Sequence, residues 1–226
     1  MRKSYIVSAK RTAIGSFLGG LATVKPKDMG SAVVKALLED ANVAPENVDE
    51  VICGNVLGAG LGQNIGRTIA LEAGIPETVC AHSVNMVCGS GLRTVMEAVM
   101  SIQCGFNDIV VAGGVESMSG APYLIPANTR TGNKMGNFTV VDHMIYDALT
   151  DARANIHMGV TAENIAKKYN ITREEQDAFG YASQQKAIAA VDSGRFKDEI
   201  VPITVHLKKQ DVIFDTDEHP NRKSTP

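Results

Sequence analysis

The stretch "VNMVCGSGLR", residues 84–93, joins a predicted strand to a predicted helix. Residues 82–87 form a short apolar run that is typical of a strand. From Leu92 onward, apolar side chains recur at i, i+3, i+4 and i+7, which predicts a helix over residues 90–104. A strand that leads directly into a helix is the repeating unit of an α/β sheet.

The same alternation extends to both sides of this stretch. Helical periodicity and glycine stops predict two further helices before it. Because the apolar strands are continuous and helices separate them, we expect an α/β fold, a mostly parallel sheet covered by helices on both faces. This core domain is predicted over residues 1–119, with further strands at 5–9, 50–56 and 109–115 and helices at 28–41 and 64–73.

Residues 120–226 have a different character and are predicted to form a second, α-rich domain. Residues 122–145 are rich in Asn, Gly, Met and Thr and resemble an excursion from the core. Two helices follow, and Thr172 with Glu175 fits a capping box at the start of the second. The helices are expected at residues 159–169 and 172–193, with a strand at 200–206 and a polar tail at 215–226.

Composition and charge narrow the function. The formal net charge of −3 comes without any basic stripe, so nucleic acid is not an expected partner. No apolar run reaches the length of about 18 residues that a membrane span needs. The four cysteines, at 53, 80, 88 and 104, lack metal-ligand spacing. We therefore expect a cytoplasmic protein with reduced thiols and no metal.

Two residues are candidates for chemistry, and each has two interpretations. Cys88 lies at a helix start, where unpaired N–H groups and the helix dipole stabilise a thiolate and an oxyanion. Gly89 and Gly91 would allow a sharp turn there. Alternatively, Cys88 is a small packing residue. His157 precedes a helix, and it either contacts a substrate or is a solvated loop residue. The glycine-rich stretch at 58–66 does not satisfy a dinucleotide-binding motif.

Several segments resemble thiolases, in thiolase order and over essentially the whole chain. They are "AKRTAIGSF" (9–17), "GNVLGAGLGQNIGR" (54–67), "VNMVCGSGLRTV" (84–95), "AGGVESMSGAPY" (112–123), "HMGVTAEN" (157–164), "REEQDAFGYASQQKA" (173–187), "GRFKDEIVP" (194–202) and "DTDEHP" (215–220). The similarity is greatest to the short-chain biosynthetic type. It implies a thiolase-like fold whose second part, residues 120–226, is an incomplete loop domain.

The resemblance also implies a reaction and a site. Thiolases condense two acetyl-CoA reversibly to acetoacetyl-CoA and CoA, by a ping-pong route and without a tightly bound cofactor. Cys88 matches the nucleophile that carries the acetyl group, and its backbone N–H would serve an oxyanion hole. Leu149, His157 and Met158 match residues beside the coenzyme A, and Arg222 its adenine side after a shift of one position. Residues 125–138 resemble a tetramerisation loop, which implies a homo-oligomer, either a dimer or a homotetramer built from dimers.

The sequence departs from the family in one respect. Thiolases continue into a second, similar core domain that supplies an Asn, a His and a second Cys, and these motifs are absent from the 226 residues. We therefore expect low activity from this chain alone. Two alternatives stay open: a catalytically incompetent fragment that only dimerises or binds acyl-CoA, and a related decarboxylating ketosynthase, against which the segments at 113–119 and 157–164 argue.

Overall fold

A computed structural model describes residues 2–225 and shows an α/β architecture. The strands are β1 (Arg11–Thr12), β2 (Glu50–Gly54), β3 (Cys80–Val84), β4 (Val110–Gly114), β5 (Tyr123–Leu124), β6 (Val141–Asp142), β7 (Ile200–Val201), β8 (Ile203–His206) and β9 (Asp211–Phe214). The α-helices are α1 (Pro26–Ala41), α2 (Ile65–Glu72), α3 (Ser90–Cys104), α4 (Met158–Tyr169) and α5 (Arg173–Asp192). Short 3₁₀ turns occupy Pro45–Asn47 and Ala127–Thr131, and a π-helix spans Met144–Leu149.

The central sheet is parallel, with strand order β3-β2-β4. Consecutive residues of a strand face opposite sides of a sheet. Gly54 faces the start of α3, while Cys53, its neighbour on β2, faces Gly66 of α2. Helices therefore cover both faces of the sheet, with α1 packed against α2. This arrangement confirms the predicted fold class.

The main core lies between the sheet and the α1–α2 face. Its members are apolar side chains at helical spacing on α1 and α2 and at alternate positions on the strands. Burying one such side chain is worth about 1.5–3 kcal/mol, so the sheet and two helices stabilise each other. The buried members include Val34, Leu38, Val51, Cys53, Ile65, Ile69 and Val111.

The last part of the chain returns to the core. β1 and β7 pair in parallel, with Arg11 opposite Ile200. Ile203 and Val205 are buried against Leu21 and Met29 in a second apolar cluster. β9, which the sequence does not predict, pairs with β8 in a hairpin and is followed by the polar segment that is predicted as a tail. The second half of the chain therefore contains more paired strand structure than its composition predicts.

Residues 5–9 do not form the strand that their composition predicts. They make no strand pairing within residues 2–225, and Tyr5, Ile6 and Val7 are each more than 70% exposed. Strand propensity reflects packing on a pleated surface, and here no neighbouring strand supplies that surface. β3 also begins earlier than predicted and ends at Val84, because the chain turns sharply over the next five residues.

The helices agree closely with the sequence. α3 has the predicted bounds, and it ends at Gly105 in the left-handed conformation that a helix stop requires. At the start of α5, the Thr172 hydroxyl accepts from the Glu175 N–H and the Glu175 carboxylate accepts from the Thr172 N–H, which confirms the capping box. Within residues 2–225, no helix combines the length and apolar character needed to cross a membrane.

Candidate active site

Cys88 lies on the turn between β3 and α3, one residue before the helix N-cap Gly89. Its side chain is exposed and its thiol is free. The turn is closed by two backbone bonds, in which the Gly89 N–H donates to Met86 and the Ser90 N–H donates to Val87. The sequence-predicted nucleophile is therefore presented at a helix start.

The sharp bend is at Val87 and not at the glycines. Val87 has φ of 49°, a left-handed conformation that is costly for a β-branched residue. Gly89 and Gly91 have ordinary backbone angles, and a Cβ on Gly91 would meet open space. The sequence placed the turn at these two glycines, and the structure corrects that expectation. The strain is held one residue before the thiol.

The Ser90 side chain holds this turn. Its hydroxyl donates to the Val87 carbonyl at 2.6 Å and accepts from the Met86 N–H at 2.9 Å. Ser90 is almost fully buried. Beneath it, a Cβ on Gly54 would lie 2.8 Å from the Ser90 carbonyl carbon, so β2 and α3 are in backbone contact. These contacts fix where the thiol points.

A cavity of about 470 Å³ opens beside Cys88. Four segments form its walls: the turn that carries Cys88, the loop after β2, the loop after β4, and the end of the π-helix. The lining is mostly apolar and includes Val56, Glu116, Met118 and Leu149. A thiol in an open apolar pocket can meet a carbonyl carbon while an acyl chain packs beside it.

Glu116 organises one wall and was missed by the sequence reading. Its carboxylate accepts hydrogen bonds from the N–H groups of Val56 and Leu57, both at 2.9 Å, and from the Asn55 amide at 3.0 Å. These bonds hold the loop after β2 against the loop after β4. The acidic residue in "GGVESMS" is the only sequence signal that would have pointed to it.

A second cavity, of about 240 Å³, lies between β4 and residues 10–12. Cys53 lines it, and burial raises the pKa of that thiol to about 11. A thiol with so high a pKa is almost entirely protonated at neutral pH and is a poor nucleophile. Of the two cavities, the one beside Cys88 suits nucleophilic chemistry better.

The structure brings Leu149 to Cys88, whereas the other predicted contacts lie outside this cavity. His157 is the N-cap of α4, and its Nδ1 accepts from the Gly159 N–H at 3.0 Å. Met158 begins α4. A β-bridge between Thr150 and His157 places the helix start beside the chain that carries Leu149. Arg222 is exposed and pairs with Asp192.

His143 is a buried residue that the sequence left without a role. Its Nδ1 lies 2.5 Å from the Asp147 carboxylate, and its Nε2 lies 3.4 Å from the Ala59 N–H. The i, i+4 spacing of His143 and Asp147 was a signal for this pair. Neither residue lines the Cys88 cavity.

Within residues 2–225, the site presents a nucleophile without a base that is hydrogen-bonded to it. Among residues 2–225, no side chain forms a hydrogen bond with the Cys88 sulfur. The same residues contain no group of three His, Cys, Asp or Glu side chains arranged to hold a metal ion. What remains is an exposed thiol, the positive end of α3 and a shaped apolar pocket.

Comparisons with known proteins agree with this arrangement. The family model "Thiolase, N-terminal domain" matches residues 4–226. The acetyl-CoA acetyltransferase of Thiocystis violacea is 53% identical over 97% of this chain and 56% of its own length. That of Escherichia coli is 51% identical over the whole chain and 57% of its own length. The crystal structure of the Bacillus anthracis acetyl-CoA acetyltransferase superposes with a TM-score of 0.93 at 40% identity, covering 97% of this chain and 55% of that one. The chain thus spans a little over half the length of these relatives.

Proposed function

The chain belongs to the thiolase family, and from that premise we propose that Cys88 takes an acetyl group from acetyl-CoA. The reaction would be the first half of an acetyl-CoA C-acetyltransferase cycle. The observation that supports it best is the position of Cys88, exposed beside an apolar cavity and one residue before the start of α3. The relatives' names supply the substrate class.

The acylation step balances with groups at hand. The Cys88 thiol loses its proton to solvent, and the thiolate attacks the carbonyl carbon of the acetyl thioester. The tetrahedral oxyanion would accept a hydrogen bond from the backbone N–H of Cys88, close to the positive N-terminal end of α3. The carbon–sulfur bond to coenzyme A then breaks, and CoA leaves as a thiolate that takes up a proton. The product is an acetyl thioester on Cys88 and free CoA.

The second half would form the carbon–carbon bond of acetoacetyl-CoA. It needs a base that removes a proton from the methyl group of a second acetyl-CoA. Within residues 2–225 no base is hydrogen-bonded to the Cys88 sulfur, so the geometry supports acylation more directly than condensation. Coenzyme A thioesters act as substrates throughout, and no bound cofactor is needed for these steps.

We assign the remaining predicted residues to the coenzyme A side of the site. Leu149 lines the cavity and would contact the acyl end or the pantetheine. His157 and Met158 follow it across the Thr150 bridge and would contact the arm further out. Arg222 would reach the adenine end only after releasing Asp192. We further propose that the chain forms a homo-oligomer, either a dimer or a tetramer, and that it is located in the cytoplasm.

An incubation with acetyl-CoA tests the proposal. Intact mass spectrometry should show one added acetyl group on the wild-type protein and none on Cys88→Ala. The absence of an adduct on the wild type would overturn it. An adduct without acetoacetyl-CoA would identify a half-reaction, and condensation that depends on malonyl-CoA would identify a decarboxylating ketosynthase.

A further inference from the structure

The walls of the Cys88 cavity come from segments far apart in the chain. Val56 and Leu57 line it from the loop after β2, and Ala148 and Leu149 line it from the π-helix. About ninety residues separate these two walls. If these two walls moved independently, the pocket would hold a substrate loosely. A contact that joins them therefore makes the positioning of the substrate more precise.

His143 makes such a contact. It precedes the π-helix, and its Nδ1 lies 2.5 Å from the carboxylate of Asp147 within that helix. Its Nε2 lies 3.4 Å from the N–H of Ala59, two residues after Leu57 on the opposite wall. Because the group of Ala59 in this contact is its backbone N–H, a donor, Nε2 is the acceptor, and this assigns the ring proton to Nδ1, toward Asp147.

The surroundings hold this imidazole in place. The His143 side chain is only 7% exposed, whereas Asp147 is 42% exposed. The His143 N–H donates to the Pro122 carbonyl, and the next N–H, of Met144, donates to the Asp142 carboxylate. The ring is thus fixed by burial and by backbone bonds, and its two nitrogens are committed to the two walls.

The wall that contains Ala148 and Leu149 is the end of a π-helix. A π-helix is rare, has poorer geometry than an α-helix, and occurs frequently at functional sites. Its one-turn span ends at Leu149, which lines the Cys88 cavity. The pair of His143 and Asp147 bridges the first turn of this unusual helix, as an i, i+4 pair does in an α-helix.

We propose that His143 is a positioning residue for the acyl-transfer site: it joins the π-helix to the loop after β2 and so fixes the gap in which acetyl-CoA approaches Cys88. His143 does not touch the thiol or the substrate and takes no part in proton transfer. Its effect is on the fit of the thioester and not on the intrinsic reactivity of the sulfur. This inference rests on the proposed acylation of Cys88.

Two conservative variants separate the two contacts of the ring. His143→Gln places an amide oxygen near the position of Nε2, so it keeps an acceptor for the Ala59 N–H. His143→Asn keeps a donor near Nδ1 for Asp147 but does not reach Ala59. His143→Leu removes both contacts. His206 supplies a matched control, because its Nδ1 also lies 2.8 Å from a carboxylate, that of Asp211, on the exposed β8–β9 hairpin.

The experiment measures three rates on the full chain: acylation of Cys88 by acetyl-CoA, alkylation of Cys88 by iodoacetamide, and hydrogen exchange of peptides covering 55–63 and 144–149. We expect His143→Leu and His143→Asn to slow acylation by about ten-fold while alkylation stays within about two-fold. Exchange of the 55–63 peptide should become faster in both. His143→Gln, which keeps the contact to Ala59, should retain wild-type acylation, alkylation and exchange of the 55–63 peptide, and His206→Leu should retain wild-type values throughout.

Three results would overturn the inference. One is wild-type acylation in His143→Leu, and another is an equal loss of acylation and alkylation, which would place the effect on the reactivity of the sulfur and not on the fit of the thioester. The third is a Gln variant no better than the Asn variant. If the wild type takes no acetyl group at all, the proposed function fails, and exchange of the 55–63 peptide alone then decides whether His143 joins the walls.

Discussion

The Ser90 hydroxyl donates to the Val87 carbonyl at 2.6 Å, and this bond holds the strained residue that precedes Cys88. The hydroxyl also accepts from the Met86 N–H, so one buried side chain satisfies two backbone groups of the turn. Left-handed backbone at a valine persists only where the surroundings determine it. The presentation of Cys88 therefore depends on Ser90.

Replacing Ser90 with Ala removes both bonds. We expect the free energy of unfolding to fall by about 1–3 kcal/mol, because the Met86 N–H loses its partner and the Val87 carbonyl keeps only the Ser90 N–H. Chemical denaturation measures this, and the rate of iodoacetamide reaction at Cys88 should change in the same variant. Ser193→Ala is the control, since that exposed hydroxyl only donates to Ala190 at a helix end. Equal effects of the two substitutions would contradict this role for Ser90.

The contact between Gly54 and α3 gives a second prediction. A Cβ at 54 would lie 2.8 Å from the Ser90 carbonyl carbon and 2.9 Å from the Gly91 nitrogen, both of them backbone atoms. Gly54→Ala should destabilise the fold by about 1–3 kcal/mol and displace the start of α3. Gly113 on β4 is the matched glycine, because a Cβ there meets nothing within 4 Å. Thermal melts compare the two variants. If Gly113→Ala loses as much stability as Gly54→Ala, the close approach of α3 is not what constrains position 54.

The four thiols should react in a defined order. Burial raises the pKa of Cys53 to about 11, so this thiol stays protonated and shielded. Cys80, Cys88 and Cys104 are exposed. At about pH 8 and below, iodoacetamide should modify Cys88 first, because its sulfur is exposed beside the cavity and at the start of α3, and Cys53 only after unfolding. Peptide mapping over time measures the order, and equal rates at Cys88, Cys80 and Cys104 would remove the role of the helix end.

Arg11 and Asp217 form the ion pair that ties β1 to the last residues of the chain. Two guanidinium nitrogens lie 2.7 and 3.0 Å from the two carboxylate oxygens, and the Ile14 N–H donates to the same carboxylate. The Arg11 hydrogen bond lowers the pKa of Asp217. Asp217→Asn should reduce the free energy of unfolding by about 2 kcal/mol.

The lowered pKa of Asp217 determines how the stability of the fold changes with pH. A carboxyl that is more acidic in the folded state stabilises the fold above its unfolded pKa of about 3.9. That stability is lost as the pH falls through the lower folded value, so acid unfolding should be less steep in Asp217→Asn. Asp177→Asn, at the exposed pair with Arg173, should change the profile less, because solvent screens that pair. Identical acid-unfolding profiles for Asp217→Asn and the wild type would contradict the assignment.

The sequence predicted those features that depend on short-range patterns. Apolar periodicity located α3, and the Thr172–Glu175 spacing located the start of α5. Residues 5–9 were predicted wrongly as a strand because propensity does not show whether a partner strand is present. The thiolase segments identified Cys88 as the candidate nucleophile, which spacing alone left undecided.

The rest of the site depends on contacts that no local pattern encodes. The left-handed Val87 is imposed by Ser90 from the next turn, and a valine gives no sign of it. Glu116 binds amides about sixty residues earlier in the chain. His143, just before the π-helix, contacts Ala59 in the loop after β2. Each of these arises from tertiary packing, so it becomes visible only when the strands and loops are assembled.

The central claim is that Cys88, and no other thiol, carries the acetyl group. Trypsin releases residues 68–93 as one peptide, which contains both Cys80 and Cys88. After incubation with acetyl-CoA, fragment ions of this peptide locate the modification within it. We predict an acetyl thioester on Cys88 alone, released by free CoA. Acetylation of Cys80, an even distribution over both cysteines, or an unmodified peptide would contradict the assignment of Cys88.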